Sequence, residues 1–400
     1  VADLPRAAGN KARPRLDQRI MPMPSPNLSI GERLEYPLPA GADGRVHRIT
    51  AFRYGSAGKG PKAYLQAGLH ADEFPGMFAL HLLRPMLETA AREGRINGEI
   101  LVLPQANPLG LTQHPDGFLY GRKESGSGQN FNRGYADLVN LLPPLSLGPD
   151  AAANTALIRL AMRDVLAAHA PSTPLDAMRQ RLLLLAHDAD LVLDLHADNQ
   201  ALPHIYVGTP LWPDAQDIAA EIGARAVLLA EVSGGNPFDE ALSGPWWELA
   251  RRYPDSPVPN GCLATTIEMG SNDDVDPVLA RNQAEALFRI LARRGFITGE
   301  SLPDLPELPC GATQLTAMSQ IRSPATGLIV YHAALGDHVI EGQAIATILD
   351  PLGDEVTVCA ETSGCLFARH SQPYGWPDKF IGKIAGTDEI ESRKGLLLTD

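Results

Sequence analysis

Apolar and polar positions give the chain two textures. Up to about residue 300, short apolar runs alternate with stretches of helical period. From about Leu28 to Tyr54 the alternation is strict in places, as in Arg45-Val46-His47-Arg48-Ile49-Thr50-Ala51-Phe52, and predicts antiparallel edge strands. Ala63-Tyr64-Leu65 then predicts a short buried strand, Met77 to Arg92 a helix, and Gly98 to Pro104 a further strand ending in a turn at Gln105 to Gly110. Leu111 to Gly134 has little periodicity and much Gly and Ser, so it reads as a loop. Asn154 to Ala170 and Leu175 to Ala189 predict two Ala- and Leu-rich helices, for which a lid and a subunit contact both stay open. Asp190 to Leu195 predicts a buried parallel strand, Asp214 to Gly223 a helix and Ala226 to Leu229 a strand. Cys262 to Gly270 predicts a β-branched strand and Asp276 to Arg294 a long amphipathic helix. Trp246 and Trp247 fall near an expected helix start, where core packing accounts for them. Strands alternating with helices predict an α/β domain.

Beyond Pro303 to Pro309, a stiff proline-rich linker, the helical pattern vanishes. Short strands joined by glycine turns follow, and Ser363-Gly364-Cys365-Leu366 echoes Thr326-Gly327-Leu328 as a two-fold repeat would. This texture resembles the barrel-sandwich half-repeat of biotinyl and lipoyl carrier domains. The carrier's modified lysine has no counterpart, because Asp350 to Glu355 contains no Lys, so a structural or pocket-walling role is expected. The expected organisation is an extended arm over 1–30, an α/β domain over 31–302, a linker over 303–314 and a β barrel-sandwich-like domain over 315–400. The arm, rich in Pro, Arg and Ala, would wrap the body or a neighbouring subunit, and a homo-oligomer stays open.

Composition narrows the function. Of 400 residues, 44% are hydrophobic and 20% charged, which suits a globular protein with a sizeable core. A net charge of −13 without a basic stripe argues against nucleic acid and anionic membranes as partners, and means that an anionic substrate needs locally placed arginines. No apolar run approaches the roughly 20 residues of a membrane helix. Cys262, Cys310, Cys359 and Cys365 are scattered, which suits a reducing, cytoplasmic setting and excludes a thiolate zinc knot.

The candidate chemistry lies on turns at strand ends, where open α/β sheets bind ligands. His70 and Glu73 sit between the Ala63 strand and the Met77 helix, and a neutral imidazole with a carboxylate suits Zn²⁺. On its own His-x-x-Glu is more simply a surface pair. His196, at the end of the Asp190 strand, would bring a third ligand to the same rim and leave one tetrahedral position for water. Glu268 ends another strand, where burial would raise its pKa toward that of a general base, although a Glu capping the strand or bonding an arginine also fits. Arg122, Asn132 and Arg133 lie in the glycine-rich loop, and Arg offers a planar fork for carboxylates; solvated surface is the plainer account. His169 and His187 read as packing or surface histidines, and His204 as a weaker pocket candidate.

Taken in order, Gly68-x-His70-x-x-Glu73, Asn132-Arg133, Asp194-x-His196 and Thr266-Ile267-Glu268 resemble the motif series of the zinc carboxypeptidase superfamily. Within it the chain is most similar to the succinylglutamate desuccinylase/aspartoacylase family, over roughly residues 40 to 400. The resemblance implies a three-layer α/β/α zinc-carboxypeptidase-like domain with a C-terminal β domain, and hydrolysis of the N-acyl amide of an amino-acid-like substrate. It implies one Zn²⁺ per chain on His70, Glu73 and His196, with Glu268 as general base and acid. Asn132 and Arg133 would hold a carboxylate of a small-molecule substrate, Arg122 would polarise the scissile carbonyl, and Tyr374 from the C-terminal domain would approach the site. Asp194 would orient a ligand or simply end its strand. A zinc metallocarboxypeptidase acting on short peptides is the alternative, and a non-catalytic binding module a third.

Overall fold

The computed structural model describes residues 31–41, 43–393 and 397, so the predicted arm over 1–30 lies outside the described residues. β1 (Glu32–Pro37) and β2 (Arg48–Gly55) pair antiparallel at a sheet edge, as their alternation predicts. β3 (Lys62–Ala67) leads into α1 (Pro75–Arg92), and β4 (Glu99–Leu103) lies parallel beside β3. After the long loop come α2 (Leu138–Leu141), α3 (Ala151–Ala168) and α4 (Pro174–Ala186). β5 (Leu191–Asp198), β6 (Gln200–Ala201), β7 (His204–Val207), α5 (Gln216–Glu221) and β8 (Ala226–Leu229) follow. α6 (Phe238–Arg252), β9 (Leu263–Ser271) and α7 (Pro277–Arg293) complete this part. Asp150, Thr173 and Asp276 start α3, α4 and α7 by accepting first-turn N–H groups on their side chains. Trp246 and Trp247 lie within α6 rather than near its start, and both are buried.

With β10 (Ala312–Gln314), the described strands form a nine-stranded mixed sheet in the order β1-β2-β4-β3-β5-β9-β7-β8-β10. β10 pairs parallel with β8, so the end of the predicted 303–314 linker is sheet rather than spacer. Side chains alternate between the two faces. Leu65, Leu193, Ile267 and Ile205 point to one face, where α1, α5 and α7 cover them. Tyr64, Val192 and Ala264 point to the other, under α3, α4 and α6. Helices thus cover both faces of a mixed sheet, the layered α/β arrangement that the alternation predicts.

The remaining strands are β11 (Met318–Arg322), β12 (Gly327–Tyr331), β13 (His338–Val339), β14 (Ala344–Leu349), β15 (Glu355–Cys359), β16 (Gly364–Arg369), β17 (Tyr374–Gly375) and β18 (Phe380–Gly386). They form two small antiparallel sheets, β11-β18-β16-β13 and β15-β14-β12-β17, around Ile321, Ile329, Ile348, Leu366 and Ile384. The echoing glycines have matching reasons: a Cβ on Gly327 would stand 2.4 Å from the Leu349 carbonyl oxygen, and one on Gly364 2.0 Å from that of Ala385. β6 pairs with β16, and Met318, Phe367 and Ala368 pack on Ala226 and Leu228. The second face of the large sheet is therefore shared, helices covering one part and the C-terminal strands another.

Candidate active site

Sheet register builds the centre of the site. Gln66, Asp194 and Thr266 are Cα partners across β3, β5 and β9, and His196 and Glu268 are partners one step further along. Being two residues apart on each strand, the two rungs face the same side. They form a polar stripe beside the apolar rung of Tyr64, Val192 and Ala264.

The His70 turn reaches the same place from β3. Gly68 adopts φ +67, and Pro75 opens α1 at a position that needs no N–H donor. The loop is stitched to this turn: the Ala71 N–H donates to the Gly121 carbonyl at 3.0 Å, and the Asn107 amide to the Leu69 carbonyl at 2.8 Å. Gly121 has no room for a side chain, since a Cβ would stand 2.0 Å from the Asp72 nitrogen.

His70, Glu73 and His196 are buried and offer ligand atoms within 4.8 Å of one another, so these three could hold a metal ion. His70 Nδ1 lies 2.8 Å from Glu73 Oε1, and His196 Nδ1 lies 2.8 Å from Glu73 Oε2. Each ring is supported on its far side. Asn130 Oδ1 lies 2.9 Å from His70 Nε2, and Asp194 Oδ2 lies 3.1 Å from His196 Nε2. The latter contact is off the line of a good hydrogen bond, since Oδ2 counts no such partner, so charge rather than a linear N–H···O bond joins the pair. Burial alone would raise the Glu73 pKa, but the two imidazoles outweigh it and hold the carboxyl well below its usual range. Burial would lower His196, but Asp194 and Glu73 raise it well above the usual value.

A cavity of about 380 Å³ opens over this centre, lined among others by Arg122, Asn132, Arg133 and Glu268. Arg122 Nη1 stands 3.5 Å from Glu73 Oε1, with the side chain half-exposed. Asn132 Nδ2 lies 3.3 Å from His196 Nε2, while its Oδ1 accepts the Phe238 N–H at 2.9 Å. Arg133 donates to the Asn132 carbonyl at 2.7 Å and packs over Gly235, which has φ +72 and whose Cβ would stand 2.5 Å from Arg133 Cδ. Glu268 Oε2 has no hydrogen-bond partner among the described residues, and burial, with Glu73 adding, pushes its pKa up to about 8. Asp239 and Glu240, on the first turn of α6, line the same cavity, with burial raising them to about 6 and about 7.

Tyr374 is a correction. It lies on β17 opposite Leu328, 44% exposed, and does not line this cavity. The C-terminal strands reach the cavity instead through Gln320, Arg322, Phe380 and Lys383. Lys383, its side chain 13% exposed, bonds Asp198 at the end of β5. His204 is a core residue: its Nδ1 lies 2.8 Å from the Leu202 carbonyl and its ring meets Phe367 at 4.7 Å. His169 pairs with Asp176 at 2.9 Å, and His187 bonds the Leu184 carbonyl. Sequence reading missed Gln66, Asn130, Asp198, Asp239 and Lys383 as parts of the site. Gln66 and Asn130 each stand two residues before a motif, those at Gly68 and Asn132, whereas nothing around Lys383 marks it.

The family model for the succinylglutamate desuccinylase/aspartoacylase catalytic domain matches residues 59–294. The chain is 25% identical over 325 residues to the N-alpha-acetyl-L-2,4-diaminobutyric acid deacetylase of Halomonas elongata, covering 78% of each. Its fold is similar to that of a succinylglutamate desuccinylase/aspartoacylase family protein from Shewanella amazonensis SB2B, with a TM-score of 0.77 and 23% identity over 90% of this chain and 100% of that one. It is also similar in fold to the product-bound ectoine utilization protein EutE (DoeB) from Ruegeria pomeroyi, with a TM-score of 0.60 and 18% identity over 89% and 96%. On the family match across most of its α/β part, the chain belongs to the succinylglutamate desuccinylase/aspartoacylase family.

Proposed function

We propose that the protein is a zinc-dependent amide hydrolase that removes an acyl group from a small, amino-acid-like amine carrying a carboxylate. One observation carries the reading: a buried His70-Glu73-His196 ligand set faces a cavity that the Glu268 side chain also lines. Two imidazoles and a carboxylate match the donor preference of Zn²⁺ and leave a position for water. One such ion per chain, held by these three residues, would lower the pKa of bound water to about 7 and polarise the scissile carbonyl.

The chain's own residues supply the rest. Glu268 takes the water proton and passes it to the departing nitrogen. Arg122 faces the carbonyl oxygen as its charge develops. Arg133, positioned by Gly235 and the Asn132 carbonyl, meets a substrate carboxylate together with the Asn132 side chain. The C-terminal strands, read as a barrel-sandwich-like unit over 315–400, wall the cavity and carry no covalent cofactor. Free, scattered cysteines support a reducing, cytoplasmic setting.

The test is hydrolysis of a panel of N-acetyl and N-succinyl amino acids and short peptides, before and after chelation and zinc repletion. Zinc-dependent release of free amine from the N-acyl amino acids is expected. Cleavage confined to peptides would establish the carboxypeptidase alternative. A zinc-loaded protein that hydrolyses neither would return the site to a binding role.

A further inference from the structure

We infer that Gln66 is a positioning residue for the metal centre, acting through Asp194 on His196; this rests on the zinc reading above. Gln66 and Asp194 are Cα partners on neighbouring parallel strands and both are wholly buried. The Gln66 Nε2 group donates to Asp194 Oδ1 at 2.9 Å, while its Oε1 accepts the Tyr64 hydroxyl at 2.8 Å. The acceptor-only aspartate selects the NH₂ end of the amide, and the Tyr64 hydroxyl holds the other end by donating to its oxygen.

The other Asp194 oxygen stands 3.1 Å from His196 Nε2. The aspartate charge beside Nε2 biases the ring to present Nδ1 toward Glu73 and the ligand cluster. An aspartate free to rotate would lose this bias. Its carboxylate has no solvent to hold it, so its orientation depends on the groups packed around it. The opposite imidazole is served differently, since Asn130 faces His70 from a loop. Only the His196 side is braced from within the sheet, by a rung whose register cannot slip without turning every side chain over.

The experiment measures zinc affinity by competition with a chromophoric chelator in the parent, Gln66→Met and Tyr64→Phe. The absorption spectrum of the Co²⁺-loaded proteins and the melting of the metal-free proteins are recorded alongside. Met fills the same volume without a donor, and Phe removes only the hydroxyl that bonds the amide oxygen. Gln66→Met should bind zinc about 10- to 100-fold more weakly, the range for outer partners of metal-bound histidines, with an altered Co²⁺ spectrum. Tyr64→Phe should show the same change in smaller degree. Parental zinc affinity and Co²⁺ spectrum in folded Gln66→Met overturn the inference, even if its metal-free form melts lower. Should Gln66→Met not fold, parental values in Tyr64→Phe overturn it. A parent that fails to bind one zinc per chain overturns the zinc reading itself, a result visible before any variant is compared.

Discussion

In the proposed mechanism the Glu268 side chain accepts a proton and gives it back, and its surroundings set the terms. Glu268→Gln keeps the volume and removes the proton carrier, so zinc content should hold while kcat falls by about 10² to 10⁴. Metal analysis beside steady-state kinetics checks this, and turnover within tenfold of the parent would make Glu268 structural. Arg122 and Arg133 should separate kinetically. Arg133→Ala should raise KM more than it lowers kcat, because a substrate carboxylate carries the same charge before and during reaction. Arg122→Ala should lower kcat by about 10² to 10³, the cost of a lost oxyanion donor. Equal, near-parental kinetics in both variants would remove the loop from the reaction.

Among the elements, α1 is closely packed against β3 and β5 beside the site. A Cβ on Gly76, in the first turn of α1, would stand 2.8 Å from Leu195 Cβ and 3.1 Å from Ala67 Cβ. Leu195 precedes His196, and α1 begins two residues after Glu73. Gly76→Ala should therefore cost about 1–3 kcal/mol of stability, as overpacking does, and weaken zinc binding as well. Denaturant unfolding and chelator competition test the two effects. A loss of stability with parental zinc affinity would show that the turn carrying His70 and Glu73 moves independently of the helix.

For the molecule as a whole, the question is what the C-terminal strands do for the catalytic sheet. The segment just after His196 is held by them: Lys383 bonds Asp198, Arg369 donates to Gln200 at 2.6 Å, and β6 pairs with β16. Burial would raise the Asp198 pKa, but Lys383 outweighs it and holds the carboxyl at about 2. Since this lies below the ordinary aspartate value of about 3.9, the stabilisation is complete above that pH and fades as pH falls toward 2. Lys383→Met leaves the Asp198 carboxylate, 9% exposed, without its cation and should cost about 3–5 kcal/mol at neutral pH. Adding Asp198→Asn should recover much of this loss, and the double variant's melting temperature should fall less than the parent's between pH 4 and pH 2. No recovery in the double variant would mean that Lys383 acts by packing alone.

Strand and helix periods, the proline break and the four ordered motifs are local properties, and local preference was enough to place the main elements and to pick out His70, Glu73, His196 and Glu268. Those four could be read because a polar residue closing an apolar run has few structural uses. Tyr374 misled for the converse reason: an exposed tyrosine on a short strand carries no signal of where its strand will lie. Lys383 was unreadable because its partner is 185 residues away, and only the docking of one sheet on another brings Asp198 to it. The rung of Gln66 and Asp194 was hidden in the same way, since a single sequence shows which residues share a strand's face but not the register between strands. Burial, and with it the raised pKa of Glu268, likewise follows only once helices and C-terminal strands close over the same face of the sheet.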